Sequence, residues 1–430
     1  MNPRYDVAIL GSGVVAHTLA LLLARERLRV ALLRQPAPPA AGPDIRAYAL
    51  NQAAVSLLSD LRVWPEAPAT TPVRQMWVCE PDAERPATLN LHAPAAQQPL
   101  AWIVDVPALE QRLAQALPFQ SGIDLVSSAP PAELTVICEG KHSRTRAQFG
   151  IEYEVEPYAH TAVAARLRCA RAHEGVARQW FQHGEVLALL PMDGPEGKLV
   201  ALVWSVPHER AAELLGLAAP AFAAAVAQAC DHALGAMSTE GTPAGWPLQL
   251  SRARHWVRPG LALAGDAAHA MHPLAGQGLN MGLGDVAELG RVLREREYWR
   301  SPGDWRLLRR YERARRADFE RMATLTDGLY SLFGHGGGPR CRCFYGLCYR
   351  LWPTTCCALR SCLSSHLTRA SSRCTDHPPS PPPQLAALPP MPTAAPWHQR
   401  LKPRTRRQRD APGCTLFGLV GGAGVGAPAS

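Results

Sequence analysis

The body of this chain has no net charge of its own. Residues 341–430 hold 11 of the 45 Lys and Arg but only 2 of the 36 Asp and Glu, so this tail carries a net +9. That value equals the formal charge of all 430 residues, which leaves residues 1–340 neutral. A neutral body lacks the basic surface that binding to nucleic acid requires. We therefore expect no nucleic-acid partner.

The body also contains few cysteines and no hydrolase motif. Only Cys79, Cys138, Cys169 and Cys230 lie before residue 340, and their scatter predicts reduced, buried thiols of a cytosolic protein. The cysteines of the tail do not form paired C-x-x-C units, so we predict no metal site. No G-x-S-x-G elbow occurs, which argues against a Ser–His–Asp hydrolase.

Long apolar runs are scarce as well. Residues 6–24 carry one charge, Asp6, and could pass for a signal sequence or a membrane span. However, Gly11 and Gly13 fall where an apolar strand must turn, and a second strand pattern follows. We therefore predict no membrane-spanning segment and a cytoplasmic location.

The N-terminal segment has the pattern of a nucleotide-binding unit. The strand YDVAIL precedes a turn with Gly11 and Gly13, then a helix to about residue 27 and the strand LRVALLR. Gly11 would make the tight turn, Gly13 would let the backbone approach a pyrophosphate, and Ala16 takes the place of a third glycine. Arg34 stands where an acidic, ribose-binding residue is usual. The fingerprint is therefore incomplete, and a glycine-rich turn of any α/β protein remains the alternative.

A second motif, LALAGDAAHAMHPLAGQGLNMGLGDVAEL, spans residues 261–289. Asp266 follows an apolar strand and could accept hydrogen bonds from sugar or ribityl hydroxyls. The N–H groups from Gly276 to Asn280, at a helix start, would face a flavin's pyrimidine edge, where the helix dipole favours the charge of reduction. A nicotinamide dehydrogenase needs only the first motif, so the two together indicate a flavin. A tight turn in a packed core is the alternative.

Two histidines in this motif, His269 and His272, invite a role in proton transfer. His269 belongs to the Gly-Asp turn, however, where capping or packing would explain it equally well. We therefore assign no catalytic side chain from the sequence.

With these motifs the chain resembles the FAD-dependent aromatic-ring monooxygenases related to para-hydroxybenzoate hydroxylase, and among them the ubiquinone-biosynthesis hydroxylases. The segment DIRAYALNQAAVSLLSDLRVW, with Arg46, and the segment CEGKHSRTR, with Glu139 in place of an aspartate, match further family motifs. The resemblance implies that FAD contacts ten positions: Gly11, Gly13, Ala16, Arg46, Asp266, Pro273, Gly276, Gln277, Gly278 and Asn280.

The resemblance also implies an interleaved α/β fold. A Rossmann-like FAD-binding domain would comprise residues 1–70, 101–150 and 251–340, and a mostly antiparallel β-sheet substrate domain would comprise 71–100 and 151–250. Patterning agrees, because HTAVAARLRC, EVLALLP and KLVALVWSV predict strands, whereas HERAAELLGL and PAFAAAVAQACDHALGAM predict helices. An apolar stripe over residues 304–333 predicts one long helix.

The activity that the resemblance implies is hydroxylation of a phenolic ring. NAD(P)H would reduce FAD, and O2 would supply the hydroxyl oxygen. No second nucleotide fingerprint occurs, so NAD(P)H would bind only transiently. The expected substrate is a phenol, in its polyprenylated form a ubiquinone precursor, which suggests a place at the inner face of a membrane or in a biosynthetic complex.

Two other functions fit the same motifs. One is a different flavin oxidoreductase of this fold, such as a prenyl reductase or a halogenase, although the body has only Lys141 and Lys198 and lacks the halogenase motif Trp-x-Trp-x-Ile-Pro. The other is a non-catalytic FAD-binding subunit of a biosynthetic complex, because Arg34 and Glu139 depart from the family pattern.

The tail, residues 341–430, differs from the body in composition. Eight of the 12 cysteines lie there, and residues 376–396 are rich in proline without an apolar period. Such a segment buries too little surface to offset its chain entropy, so we predict a disordered basic tail. We further predict a reading-frame shift near Pro339, which the coding DNA would reveal as an alternative open frame. A genuine basic tail that docks on anionic lipid is the alternative.

Overall fold

The computed structural model of the protein describes residues 5–33, 44–80, 87–93, 98–194, 196–271 and 277–334. The predicted disordered tail and the predicted frame shift therefore lie outside the described residues.

A six-stranded sheet forms the base of the cofactor region, and apart from its edge strand β15 it is parallel. Its order is β15-β16-β9-β1-β2-β8. The central strands are nearly continuous apolar runs, as burial on both faces requires. The six strands are β1 (Tyr5–Leu10), β2 (Val30–Leu33), β8 (Ile123–Val126), β9 (Ala132–Ile137), β15 (Val257–Arg258) and β16 (Leu261–Leu263).

The second sheet has eight strands in the order β17-β14-β10-β13-β12-β11-β5-β6. Only the β5–β11 pairing in it is parallel. Its strands are β5 (Gln75–Glu80), β6 (Ala87–His92), β10 (Tyr153–Cys169), β11 (Val176–Gln182), β12 (Glu185–Pro191), β13 (Leu199–Pro207), β14 (Met237–Ala253) and β17 (His269–Ala270).

A small antiparallel sheet packs against the eight-stranded one. It consists of β3 (Ala47–Leu50), β7 (Ala101–Asp105) and β4 (Thr70–Val73) in that order. Val73 and Ile103 of this sheet share an apolar cluster with Ala177 and Ala201 of the larger sheet.

In the part of the chain that the structure describes, eight α-helices cover the sheets. Two of them, α5 and α6, pack on one face of the eight-stranded sheet, while α1, α7 and α8 share the core of the six-stranded one. The helices are α1 (Val14–Arg25), α2 (Gln52–Asp60), α3 (Val106–Ala116), α4 (Arg144–Gln148), α5 (His208–Gly216), α6 (Ala219–Ala229), α7 (Gln277–Arg294) and α8 (Trp305–Gly334).

The predicted α/β architecture is confirmed, and α8 matches the long helix predicted over 304–333. The domain boundaries themselves stay predictions, and the boundary between residues 70 and 71 falls inside β4. Within the described ranges, no helix combines the length and the apolar character needed to cross a bilayer.

Three local predictions are wrong. The first helix ends at Arg25 rather than near residue 27, because Arg27 adopts φ +62°. The helix predicted over PAFAAAVAQACDHALGAM ends at Ala229, because Asp231 and His232 take left-handed conformations and the chain then enters β14. Cys79 is only half-buried, whereas the other three cysteines of the body are buried, and all four are free thiols.

Candidate cofactor site

The two predicted motifs meet at one edge of the parallel sheet. Leu10, at the end of β1, lies opposite Ile137 of β9, and Leu263 of β16 lies opposite the same Ile137. The turns that follow β1 and β16 therefore emerge side by side. In open α/β sheets this carboxyl edge is where ligands bind.

The two glycines of the first turn have different surroundings: Gly11 is crowded by protein atoms, whereas Gly13 is not. Gly11 adopts φ +148°, and a Cβ there would collide with the carbonyl of Cys138, so the close approach of β9 requires glycine. Gly13 caps α1, and no atom of the described residues lies within 4 Å of the position its Cβ would take. The N-terminus of α1 thus faces open space, as an approaching pyrophosphate needs. Ala16 is fully buried against the core.

The two motifs pack against each other through Val15 of α1, which contacts two glycines of the second motif. A Cβ on Gly265 would lie 3.2 Å from Val15 Cγ2, and a Cβ on Gly282 would lie 2.8 Å from the same atom. Further along, α7 approaches α1 again where Gly290 meets Leu22. The N-terminal turns of α1 and α7 are therefore held as one unit.

Asp266 lies in the turn Gly265–Ala267, a single turn of 3₁₀ helix. Its side chain is exposed to solvent, yet desolvation by the surrounding protein raises the pKa of its carboxyl, against the attraction of His269 and Lys141. Protein therefore surrounds the Asp266 carboxyl on several sides, although solvent still reaches it.

Two side chains, those of Arg146 and Tyr153, donate hydrogen bonds to backbone carbonyls of the Asp266 turn. Arg146 of α4 is buried, donates to the carbonyl of Ala267 at 3.0 Å, and lies 3.5 Å above the ring of Tyr153. The Tyr153 hydroxyl donates to the backbone carbonyl of Asp266 at 2.9 Å and accepts from Ser251 at 3.0 Å. The backbone of the turn is thereby fixed while the Asp266 carboxyl faces outward.

Asp285 of α7 ties the same turn to two helices. Its Oδ2 accepts from the Gly265 N–H and from His269 Nε2, both at 2.8 Å, and its Oδ1 accepts from Arg315 Nε at 2.7 Å. Burial would raise the pKa of Asp285, but His269 and Arg315 hold it below its ordinary value. Three donors therefore satisfy a carboxylate that is fully buried.

His269 is part of this buried network and does not face solvent. Its ring lies 4.7 Å from that of Trp256 and 5.2 Å from that of Phe319, measured between centroids. With Nε2 engaged by Asp285 and 2% of its surface exposed, His269 packs and positions the turn. His272 lies outside the described residues.

Glu139, which stands where the family has an aspartate, accepts hydrogen bonds from residues at the start of α4. Its Oε2 accepts from Ser143 Oγ at 2.7 Å and from the Thr145 N–H at 3.1 Å, and its Oε1 accepts from Thr145 Oγ1 at 2.8 Å. These bonds fix the start of α4, from which Arg146 reaches the Asp266 turn.

The α7 residues predicted to contact FAD divide into two groups. A Cβ on Gly278 would have no neighbour within 4 Å among the described residues, which leaves the first turn of the helix open on that side. The Asn280 side chain accepts from the Asn51 N–H at 2.9 Å and donates to the Ala49 carbonyl at 2.8 Å, which ties α7 to β3 and α2. Gln277 begins α7, and Pro273 and Gly276 lie outside the described residues.

Arg46 stands just before β3 and is paired with two carboxylates. Its Nη2 lies 2.6 Å from Asp44 and 3.0 Å from Glu110, and the hydrogen bonds to Asp44 raise its pKa. Arg166 of β10 forms an ion pair with Asp105 and donates to the Arg46 carbonyl at 3.4 Å. This contact brings the eight-stranded sheet to Arg46.

The face of the eight-stranded sheet that carries Arg166 is lined by small residues. Ala164, Val203, Ala188 and Gln179 lie opposite one another on four neighbouring strands and are half-buried. The other face is covered by α5 and α6 and is fully buried at Leu187 and nearly so at Leu202. One face is thus core, and the other carries this half-buried, mostly apolar row of side chains.

Sequence reasoning missed the residues that hold the site together. Asp285 could have been found, because it stands four residues from both Met281 and Leu289, on the buried stripe of α7. A charged residue on such a stripe requires buried partners. Arg315 carries the same signal, because it stands four residues from both Tyr311 and Phe319 on the buried stripe of α8. Arg146 and Tyr153 carry no such signal, since their bonds to the Asp266 turn join segments more than 90 residues apart.

A parallel sheet with an open helix N-terminus and a Gly-Asp turn at one edge defines the class of α/β flavoproteins. The comparisons with known proteins agree with this class. A family model described as an FAD binding domain matches residues 130–326.

Two curated relatives cover most of the chain. The ubiquinone hydroxylase UbiL of Rhodospirillum rubrum is 32% identical over 360 residues, which are 78% of this chain and 83% of the relative. The 3-demethoxyubiquinol 3-hydroxylase of Escherichia coli is 30% identical over 367 residues, covering 79% and 92%. Among solved structures, PqsL of Pseudomonas aeruginosa has a TM-score of 0.66 at 18% identity and covers 80% and 99%, which shows the fold alone.

The chain therefore belongs to the family of FAD-dependent aromatic-ring monooxygenases that includes the ubiquinone-biosynthesis hydroxylases. The family and the cofactor expected from the sequence are confirmed. The residues that contact the cofactor stay predictions.

Proposed function

We propose that this protein uses NAD(P)H and O2 to hydroxylate a phenolic, polyprenylated ring in the biosynthesis of ubiquinone. The observation that carries the proposal is the direct connection of the two turn motifs through Val15, Gly265 and Gly282 beneath the open N-terminus of α1. A site that binds only a nicotinamide cofactor would not require the second turn. The names of the two curated relatives support the substrate class.

In this proposal the described residues hold FAD at three places. The N-terminus of α1 at Gly13 binds the pyrophosphate, and the Asp266 carboxylate accepts hydrogen bonds from the ribityl hydroxyls. The start of α7 around Gly278 binds the pyrimidine edge through backbone N–H groups, because the Asn280 side chain is already engaged. FAD, when bound, accepts electrons from the nicotinamide and activates O2.

The chain itself supplies a dry surface rather than an acid or a base. The row of Ala164, Val203 and Ala188 suits a flat ring with an apolar substituent, and Gln179 offers an amide beside it. His269 cannot exchange a proton with a substrate while it is enclosed by Trp256 and Phe319. We therefore assign no catalytic side chain.

A polyprenylated substrate resides in a membrane, so we also propose that the protein works at a membrane surface or in a biosynthetic complex. The absence of a long apolar helix in the described part of the chain is compatible with peripheral attachment.

Substrate-stimulated NAD(P)H oxidation by the purified, FAD-loaded protein tests this function. We expect the rate to rise when a phenolic ubiquinone precursor is added and O2 to be consumed in step. A protein that retains FAD but shows no oxidation with any such phenol would instead be the non-catalytic subunit. The variant Asp266→Asn, measured at saturating FAD, separates loss of cofactor from loss of activity.

A further inference from the structure

The loop between α7 and α8 exposes three aromatic side chains. Tyr298 is 93% exposed, Trp299 is 69% exposed, and Trp305, the first residue of α8, is 42% exposed. The rings of Tyr298 and Trp299 meet edge to face with centroids 4.9 Å apart. We call residues 295–305 the aromatic loop. Such a concentration of exposed aromatic area marks an interaction site.

The aromatic loop is firmly attached to the body. Gly303 lies against the Glu133 carbonyl, so closely that a Cβ would collide with it, and its own carbonyl accepts from the Gly260 N–H at 2.9 Å. Ser301 Oγ donates to the Glu133 carboxylate at 2.8 Å, and Asp304 caps α8 by accepting from the Leu307 N–H at 3.1 Å. The aromatic rings therefore stand on a preformed surface, and docking costs little ordering of the backbone.

The surroundings of the aromatic loop are basic. Residues 295–313 contain six arginines and four acidic residues. All four acids are paired: Glu295 with Arg291, Glu297 and Asp304 with Arg300, and the buried Glu312 with Arg309.

Three arginines remain without a carboxylate partner in the part of the chain that the structure describes: Arg296, Arg306 and Arg313. Arg306 and Arg313 are both exposed and stand seven residues apart, on one face of α8. Since residues 1–340 are neutral as a whole, this is a local excess of positive charge beside the aromatic loop.

We propose that the aromatic loop, with Arg306 and Arg313, docks the protein on the surface of an anionic phospholipid bilayer. Tyr and Trp favour the headgroup region of a bilayer, where an apolar ring meets water. Guanidinium groups pair with phosphates, and each basic residue adds to the attraction of an anionic leaflet. A second copy of the chain fits this surface poorly, because two like-charged surfaces would face each other.

The position of the aromatic loop leaves the cofactor site open. Glu133 and Gly260 lie at the beginnings of β9 and β16, whereas the cofactor turns follow the ends of β1 and β16. The helix α7, whose 18 residues span about 27 Å, runs from the cofactor edge to the start of the loop, and β16 separates Gly260 from Gly265. Docking therefore leaves the carboxyl edge accessible to a soluble nicotinamide. The inference rests on the membrane location proposed above and not on the hydroxylation itself.

Flotation of the full chain with lipid vesicles tests the proposal. The two double variants Tyr298→Ser with Trp299→Ser and Arg306→Glu with Arg313→Glu are compared with the wild type. We expect the wild type to float with phosphatidylcholine vesicles that contain phosphatidylglycerol and much less with phosphatidylcholine alone. Each double variant should lose at least about tenfold in apparent affinity, and added salt should weaken wild-type binding.

A matched control carries Arg27→Glu with Arg112→Glu, which reverses the same number of charges at exposed positions elsewhere. It should float like the wild type, and every protein in the comparison retains the basic tail. If the loop variants float as well as the wild type, the attachment lies elsewhere and the proposal is wrong. If the wild type does not float at all, it is also wrong, and an acidic protein surface becomes the candidate partner.

The same variants keep the two proposals separate. Oxidation of NAD(P)H with a water-soluble phenol should be unchanged in the loop variants, because none of these residues touches the cofactor site. Loss of flotation with intact turnover would support the docking surface. Intact flotation without turnover in the wild type would count against the hydroxylase alone.

Discussion

Asp266 is the residue on which the cofactor site depends most. Its backbone is fixed by Tyr153, Arg146 and the Asp285 network, while its carboxyl has no hydrogen bond among those found in the described structure and is exposed to solvent. Desolvation raises its pKa. A carboxylate held in this state gains most from a ligand that donates hydrogen bonds.

The variant Asp266→Asn should bind FAD about 10- to 100-fold more weakly than the wild type, because it replaces charge-assisted hydrogen bonds worth roughly 1.5–3 kcal/mol. Fluorescence titration of the FAD-free protein with FAD measures the change. Asp231→Asn, at an exposed turn of the other sheet, is the control and should bind normally. An unchanged affinity of Asp266→Asn would remove Asp266 from the cofactor site.

The affinity for FAD should also depend on pH through the same carboxyl. The FAD-free protein has a raised pKa at Asp266, and hydroxyl donors favour the carboxylate, so binding lowers that pKa and releases a proton. Affinity should therefore decline as the pH falls through the raised pKa and level off below the pKa of the complex. Titrations across acidic pH should show this decline in the wild type and a flatter profile in Asp266→Asn. Identical profiles would contradict the assignment.

At the scale of elements, α7 connects the cofactor turn to the rest of the core. Asp285 bonds to the Gly265 turn on one side and to Arg315 of α8 on the other, and Arg315 also donates to the Met281 carbonyl at 3.1 Å. Tyr311 of α8 adds a bond of 2.8 Å to the Leu263 carbonyl at the end of β16. The position of the turn is therefore set by two helices.

The variant Asp285→Asn should lose about 3 kcal/mol of unfolding free energy, because it removes the buried anionic partner of Arg315 and leaves only the partly exposed Asp318. Chemical denaturation measures the loss. Asp318→Asn removes the other, partly exposed carboxylate of Arg315 and should cost at most about 1 kcal/mol.

The pKa of Asp285 is below its ordinary value in the folded protein, so its stabilisation is complete above the pKa of an unfolded aspartate. The difference between wild type and Asp285→Asn should shrink as the pH falls through the folded pKa. Equal losses for Asp285→Asn and Asp318→Asn at neutral pH would show that the buried network contributes little.

Two glycines of α7 should respond to alanine in opposite ways. Gly282→Ala places a Cβ 2.8 Å from Val15 and should lower the stability of the FAD-free protein by about 1–3 kcal/mol. Gly278→Ala meets no atom of the described residues within 4 Å and should leave stability unchanged or slightly higher, since alanine favours helix. It should nevertheless weaken FAD binding, because its methyl enters the space assigned to the ring. Normal FAD binding by Gly278→Ala would place the flavin elsewhere.

The elements were predictable where local pattern determines them. The apolar run of β1, the stripe of α8 and the strand EVLALLP are confirmed because each is dictated by its own residues. The end of α6 was not predictable from local pattern, since a left-handed turn at Asp231 and His232 ends the helix although the segment has a helical composition. The stacking of Arg146 on the Tyr153 ring and the hydrogen bond from the Asn51 N–H to the Asn280 side chain depend on the tertiary fold, which no local pattern encodes.

At the scale of the whole molecule, the proposals assign separate tasks to three surfaces. The carboxyl edge of the parallel sheet carries the proposed cofactor turns, the Arg166 face of the eight-stranded sheet lies toward Arg46, and the aromatic loop stands at the opposite edge. In these proposals the cofactor, the substrate and the membrane therefore do not compete for one surface.

Incorporation of ¹⁸O from labelled O2 tests the central claim most directly. The FAD-loaded protein is incubated with NAD(P)H, a phenolic ubiquinone precursor and ¹⁸O2, and the products are analysed by mass spectrometry. We expect a product with one added hydroxyl group that carries ¹⁸O, formed in step with NAD(P)H oxidation. Oxidation of NAD(P)H that yields only hydrogen peroxide with every phenol, or a hydroxyl group without the label, would contradict the proposed monooxygenase.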